Sequence, residues 1–110
     1  MTRTRQALSA IVGLGKSPIS RSPLGSARAL ASTAVRQAMT DAHLRPGDID
    51  GLLLNQSALA PPGMLPLQII DDIGLSNLRL LSTVEGKGAS ALQMVQQATM
   101  AIRQGMATTV

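Results

Sequence analysis

The chain contains no cysteine, no phenylalanine, no tyrosine and no tryptophan, and only one glutamate, Glu85. The first absence removes disulfides, thiolate metal sites and cysteine nucleophiles. With His43 as the only histidine, a cluster of imidazole metal ligands is excluded as well. The lack of aromatic rings argues against nucleic-acid modules that stack bases on them. No apolar run approaches the length of a bilayer span. Acids are scarce, six against ten lysines and arginines, for a net charge of +4. The bases (Arg3, Arg5, Lys16, Arg21, Arg28, Arg36, Arg45, Arg79, Lys87, Arg103) are dispersed and form no run, which disfavours a nucleic-acid partner.

What is present is aliphatic. Hydrophobic residues make up 45% of 110 residues, enough for one modest core of Leu, Ile, Val, Ala and Met. Met1–Leu14 has a faint leader-like character, Arg3 and Arg5 followed by an apolar stretch, but no small-residue cleavage site follows and Lys16-Ser17-Pro18 interrupts it. A cytoplasmic chain without a membrane span is the expectation.

The pattern predicts an α/β fold. Leu8–Leu14, bounded by Gly13 and Gly15, reads as a strand buried on both faces. Lys16–Gly25 is a loop broken by Pro18 and Pro23. Ser26–Leu44 is a helix capped by Ser26, with a stripe of Ala27, Leu30, Ala31, Ala34, Val35, Ala38, Met39 and Ala42, and Arg45-Pro46-Gly47-Asp48 is expected to end it. Ile49–Leu54 is a second strand and Asn55–Gly63 a loop. Met64–Ile73 is a helix closed by Gly74, with Pro66 in its first turn and Asp71-Asp72 toward solvent. Leu78–Val84 is a third strand, and Lys87–Gln104 a third helix with Leu92, Val95, Ala98, Thr99 and Ile102 inward and Gly105 as its C-cap. Met106–Val110 reads as the start of a fourth strand. The resulting order, βαβαβαβ, implies a mostly parallel sheet with helices on both faces.

Two glycine motifs and one acid bear on chemistry. Gly13-Leu14-Gly15-Lys16-Ser17 imitates the tail of a P-loop, but Ala10 stands where the first glycine belongs, and a glycine-bounded buried strand accounts for it better. Gly86-Lys87-Gly88-Ala89-Ser90-Ala91 fits the Gly-x-Gly-x-x-Ala dinucleotide fingerprint after a strand and at the opening of a helix, although the confirming acid would fall at or beyond Val110. Glu85 sits where the third strand breaks into that helix. It is either an acid placed favourably near a positive helix end or a carboxylate at a ligand site, and the residues alone leave both open. His43 reads as a helix-end residue, and the aspartates (Asp41, Asp48, Asp50, Asp71, Asp72) as helix-surface and turn residues.

The order of elements, together with Ala10-Ile11-Val12-Gly13-Leu14-Gly15, Asp48-Ile49-Asp50-Gly51-Leu52, Val84-Glu85-Gly86-Lys87-Gly88-Ala89-Ser90-Ala91-Leu92 and Ala101-Ile102-Arg103-Gln104-Gly105, resembles the thiolase superfamily, most of all its sterol-carrier/lipid-transfer type, often labelled acetyl-CoA acetyltransferases. The resemblance implies that residues 1–110 are an incomplete N-terminal thiolase-like domain of a lipid-metabolism enzyme whose full-length relatives form homodimers or hetero-oligomers. It implies a CoA thioester as substrate and no resident cofactor or metal. In thiolases the turn carries the cysteine that takes the acyl group, its thiol activated by the helix N-terminus. By the same match Glu85 occupies the cysteine position, and Gly86, Lys87 and Gly88 are the accompanying substrate-binding positions. A carboxylate cannot form the same thioester, so the resemblance points to Cys-less, aldolase-like relatives that make or break C–C bonds on CoA-linked substrates, or to non-catalytic partner subunits. The 110-residue chain alone is expected to be inactive.

Overall fold

The computed structural model describes residues 8–22, 24–58 and 60–110. The basic end of the leader-like stretch (Arg3, Arg5) and Pro23 of the first loop lie outside these residues. The architecture is α/β, with helix α1 (Ala27–Asp41), strand β1 (Gly51–Leu54), helix α2 (Leu65–Ile73), strand β2 (Leu80–Thr83) and helix α3 (Ser90–Arg103). Single 3-10 turns precede β1 at Pro46–Asp48 and α3 at Lys87–Ala89. The strands are parallel, Gly51 opposite Leu80 and Leu54 opposite Thr83, and α2 is the crossover between them.

The core lies where α1 and α2 meet one face of this ribbon: Ala27, Met39, Leu52, Leu65, Ile69, Ile73 and Leu75. In α2 the buried residues Leu65, Ile69 and Ile73 recur at four-residue steps, while Leu67 is exposed. Ile69 is fully enclosed, which contributes roughly 2–3 kcal/mol. The seam between α1 and α2 is polar as well as apolar. The Arg28 guanidinium donates to both Asp72 oxygens, at 2.8 Å to Oδ2, and the buried Ser32 hydroxyl donates to the same Oδ2 at 2.9 Å. Arg36 donates to the Asp72 carbonyl at 2.8 Å. Asp72, expected toward solvent, is instead a tie between α1 and α2, and the hydrogen bond from Arg28 holds its carboxyl down at about 2. Asp71 is exposed, as expected.

All three helices stop in one way. In each, a residue with left-handed backbone lets the next amide reach back five residues: Leu44 to Met39, Leu75 to Ile70, and Met106 to Ala101. Gly74 (φ 80°) and Gly105 (φ 72°) fill that position in α2 and α3, as expected of C-caps. In α1 it is His43, at φ 56°. That helix ends ahead of Arg45-Pro46-Gly47-Asp48 because its own carbonyls are already satisfied there.

Two expected strands are not formed among the described residues. Residues 8–20 have no regular structure, and Ile11, Val12 and Leu14 are 82%, 62% and 74% exposed. Gly13 and Gly15 do not flank a buried strand. They press on the back of α1, where a Cβ would come within 2.3 Å of the Ala38 carbonyl and 1.9 Å of the Ala34 carbonyl. The Leu14 amide is taken by Asp41 Oδ2 and the Lys16 amide by Gln37 Oε1. The P-loop-like Gly13–Ser17 opens no helix, since the next one starts at Ala27. The segment after α3 runs through turns and bends without forming a strand, and the Thr109 carbonyl accepts from the amides of Asp50 and Gly51.

Helix α3 also departs from expectation. Its buried residues are Ser90 and Ala101, whereas Leu92 is 77% and Val95 50% exposed. The N-terminal segment, α1, β1 and α3 enclose an open apolar cavity of about 380 Å³ lined by Val12, Val35, Met39, Leu53, Val95 and Ile102 among others. No helix among the described residues is long and apolar enough to cross a membrane.

Candidate active site at the carboxyl end of the sheet

In a parallel sheet every strand delivers its chain to the same edge, and ligands collect beyond the carboxyl ends. Here those ends are Leu54 and Thr83, and the segments leaving them are Asn55–Ser57 and Val84–Ser90. The last main-chain rung is the Val84 amide to the Leu54 carbonyl, 2.7 Å. Beyond it the turn begins, with Glu85 exposed at its head.

The turn is tight and closed by its own residues. Glu85 Oε1 accepts from the Lys87 amide at 3.0 Å. Lys87 has φ 52°, a left-handed conformation uncommon for a side-chain-bearing residue. Its carbonyl accepts from the Ser90 hydroxyl at 2.8 Å, so both of its peptide groups are held. Ser90 Oγ is buried and also accepts from the Gly86 amide (3.0 Å) and from Asn55 Nδ2 (3.1 Å). Asn55 Nδ2 donates to the Val84 carbonyl as well, at 2.8 Å. Gly86 lies against Gln93, whose side-chain oxygen would be 2.0 Å from a Cβ, while Gly88 faces open space. Glu85, Gly86, Lys87 and Gly88 lie on this one turn. Ala91, the last position of the dinucleotide pattern, is exposed on the first turn of α3. A small cavity of about 180 Å³ opens beside the turn, lined by Asn55, Gln56, Ser57 and Thr83 and walled by Leu54, Ala60, Pro61 and Pro66.

Chemically, the edge offers one accessible carboxylate on a constrained turn, an ammonium group two residues later and a mixed polar and apolar cleft. Neither Asn55, expected only as part of a loop, nor Ser90, expected only as one letter of a glycine pattern, stood out in the sequence. The signal for both was residue type: Ser readily bonds the carbonyl three residues back, and Asn at a strand end can pair with neighbouring backbone.

The opposite, amino end of the sheet holds a further residue that the sequence did not single out. Asp50, expected as a turn residue, is 5% exposed. Its carboxylate accepts from the amides of Thr108 (2.9 Å) and Thr109 (2.9 Å) and from the Thr108 hydroxyl (2.9 Å). Burial pulls its pKa upward, but the hydrogen bonds from Thr109 and Thr108 and the nearby Arg79 charge outweigh it and leave the carboxyl below its ordinary value.

Compared with known proteins, this α/β chain with a carboxylate-bearing turn is similar to aldolases and lyases. No family model matches it. It is 34% identical over 101 residues to the steroid side-chain-cleaving aldolase of Thermomonospora curvata, covering 92% of this chain and 25% of that protein. It is 33% identical over 101 residues to the 17-hydroxy-3-oxo-4-pregnene-20-carboxyl-CoA lyase of Mycobacterium tuberculosis, again with 92% and 25% coverage. Among solved structures, the Ltp2-ChsH2(DUF35) aldolase superposes with a TM-score of 0.73 at 35% identity over 89% of this chain and 25% of that one. The chain therefore spans about a quarter of the length of each of these relatives.

Proposed function

We propose that this chain forms part of a thiolase-like enzyme that breaks or makes C–C bonds on CoA thioesters, with Glu85 at the position where thiolases carry their nucleophilic cysteine. The observation that carries the reading is the exposed Glu85 carboxylate on a braced turn at the carboxyl edge of a parallel sheet, in a chain similar to an aldolase and a CoA lyase. For cleavage of a β-hydroxyacyl-CoA, a base takes the proton of the β-hydroxyl. The pair left on oxygen forms the C=O π bond as the Cα–Cβ bond breaks, and the Cα–Cβ pair moves onto the α-carbon as the thioester enolate. Protonation of that carbon yields the shortened thioester. A carboxylate suits the first proton transfer and, once protonated, the last one. No covalent acyl intermediate is required, which fits a carboxylate rather than a thiol at this position.

The supported partners are a CoA thioester and a second subunit, since the solved relative's name joins two components. The test is Glu85→Gln in the protein as it is assembled with its partners, assayed for release of a shortened acyl-CoA from a β-hydroxyacyl-CoA. A loss of about 100-fold or more in kcat is expected; an unchanged rate removes Glu85 from the chemistry. The isolated chain is expected to give no cleavage of acetoacetyl-CoA, and detectable turnover would overturn that.

A second reading, a thiolase-fold subunit that supports a catalytic partner, rests on the two-component name of the solved relative. It predicts that Glu85→Gln leaves the assembled activity intact while loss of the chain abolishes it.

A further inference from the structure

Ser90 heads α3, and its type suggests an ordinary helix cap. The geometry is different. A capping serine accepts from an amide two or three residues ahead, whereas Ser90 Oγ accepts from Gly86, four residues behind it, and donates to the Lys87 carbonyl. With the third contact, from Asn55 Nδ2, its one donor and two acceptor sites are all used, inside a residue only 6% exposed. Asn55 Nδ2 serves both Ser90 Oγ and the Val84 carbonyl. These contacts bracket Glu85, with Val84 gripped on one side of it and Gly86 on the other. They connect the turn after β2 to the residue that follows β1, beyond the last rung of the ladder.

We infer that Asn55 and Ser90 are positioning residues: a two-residue clamp that fixes the backbone on both sides of Glu85 and so sets where its carboxylate stands at the edge of the sheet. Asn55 also lines the small cleft. The left-handed Lys87 is sustained by the same contacts, as a conformation of that cost requires surrounding structure to hold it. The positioning role in catalysis rests on the proposed reading of Glu85; the clamp itself does not.

Two measurements separate these levels. In the 110-residue chain, amide exchange at Gly86 is followed by NMR in Ser90→Ala, Asn55→Ala and Ser90→Thr. Ser90→Ala removes the acceptor of the Gly86 amide and is expected to speed exchange there about tenfold; Asn55→Ala, which frees Ser90 Oγ and the Val84 carbonyl but leaves that acceptor in place, is expected to speed it by a smaller factor, with Ile69 and Leu52 in the core unchanged in both, and the threonine variant is expected to restore protection. If Ser90→Ala disrupts the fold, Asn55→Ala, which lies outside the helix and removes only the outer grip, decides the matter. Unaltered Gly86 exchange in a folded variant overturns the clamp. In the assembled enzyme, Ser90→Ala is expected to lower kcat for β-hydroxyacyl-CoA cleavage about tenfold with KM held, and Ser90→Thr to rescue it. Wild-type kcat in Ser90→Ala alongside an inactive Glu85→Gln overturns the positioning role while sparing the proposed function. Wild-type activity in Glu85→Gln overturns the functional reading, and the exchange data then judge the clamp alone.

Discussion

The two ends of the sheet each present a carboxylate next to a strand, and they use it in opposite ways. At the amino end Asp50 is buried and accepts from two amides and a hydroxyl. Its carbonyl meanwhile accepts from the Arg79 and Leu80 amides, and its own amide donates to Thr109. That residue ties the chain after α3 and the start of β2 to the start of β1. At the carboxyl end Glu85 is exposed and makes one local contact, to Lys87. The bracing there is delegated to the neutral pair Asn55 and Ser90. A buried, fully partnered carboxylate is committed to structure, because any reaction at it would break several bonds. An exposed one whose neighbours carry the structural load can be replaced without breaking them.

This contrast is open to direct challenge. Removing the Asp50 side chain strands the Thr108 and Thr109 amides, so Asp50→Ala is expected to cost about 2–3 kcal/mol in urea unfolding and to release amide protection at both threonines. A cost below about 0.5 kcal/mol would erase the structural side of the comparison.

Acid reads the structural carboxylates Asp72 and Asp50 by titration. Asp72 is held at about 2 by Arg28 and Ser32, and Asp50 also lies below its ordinary value, against about 3.9 in an unfolded chain. A folded-state value below the unfolded one gives stability that is complete above pH ~4 and is lost as pH falls toward ~2. The Asp72→Asn variant is expected to flatten that loss, which thermal melts between these limits would record.

Each end also has a side-chain-bearing residue in left-handed backbone, His43 on the approach to β1 and Lys87 after β2. Glycine relieves that conformation at either place, so His43→Gly is expected to stabilise the fold by about 0.5–1 kcal/mol. Lys87→Gly is expected to gain similarly in stability but to lose activity in the assembled enzyme, since it loosens the turn. Equal activity in wild type and Lys87→Gly would show that the constraint at Lys87 has no bearing on chemistry. The smallest effect on stability belongs to Glu85→Gln, expected within about 0.5 kcal/mol of wild type.

Much of this was legible in the residues themselves. Three- and four-residue apolar spacing marks α1 and α2, Gly74 and Gly105 mark helix ends, and the leucine-rich stretches around residues 51–54 and 80–83 mark two strands whose connecting helix makes them parallel. The turn from Glu85 to Gly88 was visible because an apolar strand pattern gives way to a helical one within a few residues, and two glycines sit at the change. These features are local: a backbone conformation or a periodic face is written within about ten residues of chain.

What the tertiary structure alone decided is long-range. Residues 8–16 lie along α1 rather than in the sheet, with the Leu14 and Lys16 amides taken by Asp41 and Gln37 and Gly13 and Gly15 against the carbonyls of Ala38 and Ala34, contacts that no local pattern announces. Asp72 became a helix–helix tie and Asp50 a lock on the end of the chain because acceptors 44 residues from Arg28 and 58 from Thr108 found their donors. Asn55 and Ser90 acquired their role across a separation of 35 residues. A side chain's type limits the bonds it can make, but only the folded arrangement brings the partner within about 3 Å and excludes the water that would otherwise take its place.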